Sequence, residues 1–107
     1  MTEYVQVITT LETKEDARTV ANEVVGKRMA ACAQIIGPIT SIYWWEGIVE
    51  ESEEWLLVMK TQRGLYEELE KAIKDMHFYE VPEILAMPVV AGNPDYLSWL
   101  DKEVNEQ

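Results

Sequence analysis

A chain of 107 residues makes one domain, spanning 1–107, and an apolar content of 48% with four Trp excludes disorder. Nine Lys and Arg stand against twenty Asp and Glu, a formal charge of −11 that repels phosphate backbones and anionic lipid. No nucleic-acid partner is expected, and the charge favours solubility with a diffuse attraction for cations.

The elements follow in chain order. Residues 4–10, YVQVITT, are short and β-branched and predict a first strand. Thr13 stands three residues before Asp16, much like a capping box, and opens a helix. Its inner stripe is Ala17, Val20, Ala21, Val24, Val25 and Arg28, while Arg18, Asn22, Glu23 and Lys27 face out. Residues 31–47 predict a long second strand with a bulge or bend at Gly37-Pro38. The acidic run EESEE, 50–54, is expected at the hairpin tip as a solvated turn.

Strand three is WLLVMKT, 55–61, apolar on both faces: Trp55, Leu57 and Met59 on one, Leu56 and Val58 on the other. A second helix carries Leu65, Tyr66, Leu69, Ala72, Ile73 and Met76 on one stripe, with Glu67, Glu68, Lys71 and Lys74 outside it. Strand four, EILAMPVV, contains Pro88, which cannot donate to a ladder and marks an edge or a bulge. Asn93-Pro94-Asp95 supplies a cap, a first-position proline and a first-turn acid for a short terminal helix holding Tyr96, Leu97, Trp99 and Leu100.

The order βαββαβ plus a terminal helix is the α+β, ferredoxin-like pattern. Right-handed crossovers put both long helices on one face of an antiparallel sheet. The other face then lacks a cover. In SIYWWEG, 41–47, Trp44 points one way and Tyr43 and Trp45 the other, so the long hairpin carries large aromatic groups on both sides. Monomers rarely leave such a patch wet, nor so long a strand edge unpaired. A closed cyclic homo-oligomer resolves both, with the terminal helix covering at most part of the face.

A single cysteine rules out an intramolecular disulfide and fits a reducing, cytoplasmic setting. The start, MTEYVQV, has neither the basic flank nor the apolar run of a secretion signal. No apolar run exceeds about five residues, so no membrane insertion is expected.

KRMAACAQII, SIYWWEG, Lys60-Thr61 at the end of strand three, HFYEVPEI and GNPDYLSWL together resemble the CutA divalent-cation tolerance family, in the right order over nearly the whole chain. The resemblance implies a tight homotrimer with interlocking hairpins, binding of copper or another divalent cation, and a role in metal tolerance. The trimeric architecture is similar to that of the PII signalling proteins, whose clefts between subunits bind small effectors. Two departures matter. The family motif usually reads His-Pro-Tyr-Glu, whereas Phe78 replaces the proline here, and Thr9-Thr10 stand where some members carry a proposed copper-ligating cysteine.

Three groups of residues are candidates for a site. His77, the only histidine, ends the second helix and is followed by Tyr79, Glu80 and Glu83. Imidazole with carboxylate begins a Cu(II) or Zn(II) site; the plainer reading is a cation at a helix C-terminus. Cys32, in MAACA, is either a small buried hydrophobe or a redox or metal-ligating thiol. Lys60 either snorkels from a sheet end or, with Tyr43, Trp45 and Tyr79, holds a small anion in a PII-like cleft, although the plainer reading of the three aromatics is interface packing. Glu80 is a partner for either Lys60 or a metal. One His and one Cys per chain cannot close a transition-metal cage, so a symmetric assembly would have to multiply the ligands.

No glycine-rich phosphate loop, Ser–His–Asp set or persuasive pair of acids is present, and an enzyme is not expected. Three functions stay open: divalent-cation binding, an effector-binding signalling trimer, and a structural trimer that anchors a partner protein.

Overall fold

The computed structural model describes residues 3–104. The order is β1 (Tyr4–Leu11), α1 (Lys14–Gly26), β2 (Cys32–Trp45), β3 (Ile48–Gln62), a single 3₁₀ turn (Arg63–Leu65), α2 (Tyr66–Met76), β4 (Ile84–Pro88) and α3 (Pro94–Glu103). The strands form one antiparallel sheet in the order β2-β3-β1-β4. This is the expected βαββαβ arrangement with a terminal helix, and β4, with Pro88, lies at the expected edge. No helix among the described residues is long and apolar enough to cross a membrane.

Local chemistry accounts for the helix starts. Thr13 is extended and its hydroxyl accepts from the Asp16 amide at 3.0 Å, capping α1. Asn93 does the same for α3, accepting from the Asp95 amide at 2.9 Å with Pro94 at the first helical position. On the covered side of the sheet, Val5, Val7 and Leu11 of β1 and Leu57 and Met59 of β3 pack against Ala17, Val20 and Val24 of α1 and Leu69 and Ile73 of α2.

Four sequence expectations are corrected. The hairpin tip is Glu46-Gly47, with φ of 49° and 84°, and Trp45 pairs with Ile48 across it. Two successive left-handed residues make the two-residue turn that matches strand twist, so EESEE lies within β3 instead of at the tip. Arg28 is outside α1, with φ of 60°, and its guanidinium reaches Glu103 of α3 at 3.1 Å. Leu65 belongs to the 3₁₀ turn and packs with Ala31, Leu100 and Val104, apart from the stripe of α2. β4 is shorter than 83–90: it pairs from Ile84 to Pro88, and the Val89 amide adds one bond to the Tyr4 carbonyl at 3.0 Å, where β1 begins.

The second face is covered only at one end. Asp101 of α3 accepts from the Tyr4 hydroxyl and the Gln62 amide, both at 2.8 Å, and seats the helix over the start of β1. Beyond it, Ile36 (51% exposed), Leu85 (55%) and Met87 stay open. From Ile39↔Glu54 outward, β2 and β3 pair only with each other, and this arm carries Ile42, Tyr43, Trp44, Trp45, Ile48 and Val49, all exposed. A two-stranded ribbon is marginal by itself in water.

Candidate functional site

Where the arm leaves the body, its inner side and the segment after α2 border a half-open cavity of about 780 Å³. Antiparallel partners share a face, so the pairs Ser41↔Ser52 and Tyr43↔Glu50 put Ser41, Tyr43 and Glu50 on the same side as Glu54. Thr10 of β1 lies beneath them, and Tyr79, Glu80, Val81 and Glu83 close the opposite wall. Four Glu line the space and no Lys, Arg or His does.

His77 fixes that opposite wall. Its Nδ1 accepts from the Tyr79 amide at 3.2 Å, so the proton is on Nε2, which donates to the Thr10 carbonyl at 2.8 Å. The ring also lies 4.7 Å from that of Tyr79. Both nitrogens are engaged, so a metal at either would displace one of these bonds. The imidazole ties the end of α2 to the end of β1 and thereby aims Tyr79 at β3.

The Tyr79 hydroxyl donates to Glu54 Oε2 at 2.7 Å. Burial first, then this bond and the charge of Glu54, push the phenol well above its ordinary value. Glu54 itself is only 7% exposed. On the opposite rim the Tyr43 hydroxyl bonds Ser52 Oγ at 3.2 Å.

Neither residue set proposed from the sequence comes together within one chain. Cys32 pairs with Lys60, and its Sγ lies 3.4 Å from the Tyr96 hydroxyl, a contact that, with burial, raises that phenol to about 12. Thr10, which holds His77, pairs with Leu56, so Cys32 is four residues along β3 from it, roughly 13 Å at strand rise. His77, Glu80 and Cys32 therefore do not form a joint site in a single subunit. Lys60 is likewise remote from the cavity: its Nζ donates to Gln34 Oε1 at 2.6 Å, and Tyr43 lies opposite Glu50, ten residues further along β3 and roughly 33 Å away. Tyr43, Trp45 and Tyr79 do line one cavity, with Glu80 beside them. Among the described residues no three His, Cys, Asp or Glu converge as a metal-binding group.

Sequence reasoning missed Glu54 and Glu50 by assigning them to a solvated tip. The signal was available: the alternation of Val58 and Leu56 continues to Glu54 with the same parity.

Comparison with known proteins agrees with the fold. The family described as CutA1 divalent ion tolerance protein matches residues 5–103. The divalent-cation tolerance protein CutA of Thermus thermophilus is 45% identical over 94 residues, covering 88% of this chain and 91% of that protein. The protein CutA of Mus musculus is 48% identical over 84 residues, which is 78% of this chain and 48% of that protein, so the chain spans about half of its mouse relative. The crystal structure of CutA1 from Oryza sativa superposes with a TM-score of 0.96 at 37% identity, over 99% of this chain and 97% of that one. By sequence and by three-dimensional structure alike, this chain belongs to the CutA1 divalent ion tolerance protein family.

Proposed function

We propose that the chain acts in divalent-cation tolerance, in the cytoplasm and without catalysis, as a homotrimer that binds copper or another divalent cation where its copies meet. The observation that carries this reading is the uncovered apolar surface that runs from Ile36 and Leu85 onto the aromatic arm, beside a cavity lined by carboxylates. Burying what is still exposed of Ile36, Leu85, Trp44 and Ile48, between 51% and 72% of each, is worth on the order of 4–7 kcal/mol per chain, before the entropy of association. A cyclic assembly covers this surface and the free edges of the arm together.

A single chain offers dispersed oxygens, so metal ligands have to be gathered by symmetry. Glu80 and Glu83 are exposed and free to swing toward an axis, whereas His77 would first release Thr10 or Tyr79. Cu(II) heads the affinity order for such nitrogen and oxygen donors.

Light scattering tests the assembly, and calorimetry with Cu(II) and Zn(II) tests the ligands. The expected particle is three chains, with affinity lowered in Glu80→Gln and less so in His77→Ala. A folded species of one chain would overturn the assembly. Unchanged affinity in Glu80→Gln, His77→Ala and the double variant would overturn the ligand set.

A further inference from the structure

We draw no further inference here: the strongest candidate, the groove of about 470 Å³ between the start of α2 and the edge strand β4, lined by Val5, Arg63, Tyr66, Glu67, Ala86 and Pro88, joins one exposed arginine to a helix N-terminus, and nothing in the structure shows what covers it.

Discussion

Tyr79→Phe removes one oxygen and leaves the ring in place, which makes it the cleanest probe of the site. The bond it deletes is short, 2.7 Å, and its acceptor is a carboxylate only 7% exposed. Hydrogen bonds to charged groups are worth about 1.5–3 kcal/mol. Because the cavity lets water reach part of Glu54, the loss should fall near the lower end, about 1.5 kcal/mol. Urea unfolding at pH 7, followed by tryptophan fluorescence and circular dichroism at one fixed chain concentration, measures it, with the slope expected to stay unchanged. A cycle with Glu54→Ala isolates the pair: in that background Tyr79→Phe should cost less than about 0.5 kcal/mol. The reasoning is refuted if Tyr79→Phe is equally costly with and without Glu54, or if it costs nothing in the wild type.

Two further outcomes follow from the same geometry. The Tyr79 phenol is held above its ordinary value of 10.0, so the folded protein keeps a proton that the unfolded chain gives up. Its contribution to stability is complete below about pH 10 and is lost as pH climbs toward the folded value. Stability measured against pH from 9 to 11 should therefore fall more steeply in wild type than in Tyr79→Phe, while equal slopes would remove the phenol from the account. At the root of the arm, a Cβ on Gly37 would sit 2.6 Å from Trp55 Cε3 and 2.8 Å from Cδ2. Gly37→Ala should therefore destabilise by about 1–3 kcal/mol in denaturant unfolding, and a neutral result would mean that the indole shifts freely.

Much of this fold is legible locally. The cap at Thr13, the Asn93-Pro94-Asp95 start of α3 and the stripes of α1 and α2 are short-range patterns, and each appears where the sequence puts it except at Arg28 and Leu65, which fall outside their helices. So are the three aromatics of SIYWWEG, whose alternation marks a hairpin apolar on both sides. Charge misled where it was taken as a sign of exposure: EESEE reads as a turn, but the turn needs left-handed backbone, and that occurs at Glu46-Gly47.

From its residues in order the chain determined its strands, its helices, their sequence along the fold and a shortage of cover for one sheet face. Only the tertiary structure decided that Glu54 is buried beneath Tyr79, that His77 spends both nitrogens on Thr10 and Tyr79, and that Cys32 and Lys60 lie at the far end of the sheet. Element formation depends on periods of two and 3.6 residues, which a reader of the sequence can see. The site depends on ladder register and on contacts between segments 25 to 67 residues apart, and no local period encodes those.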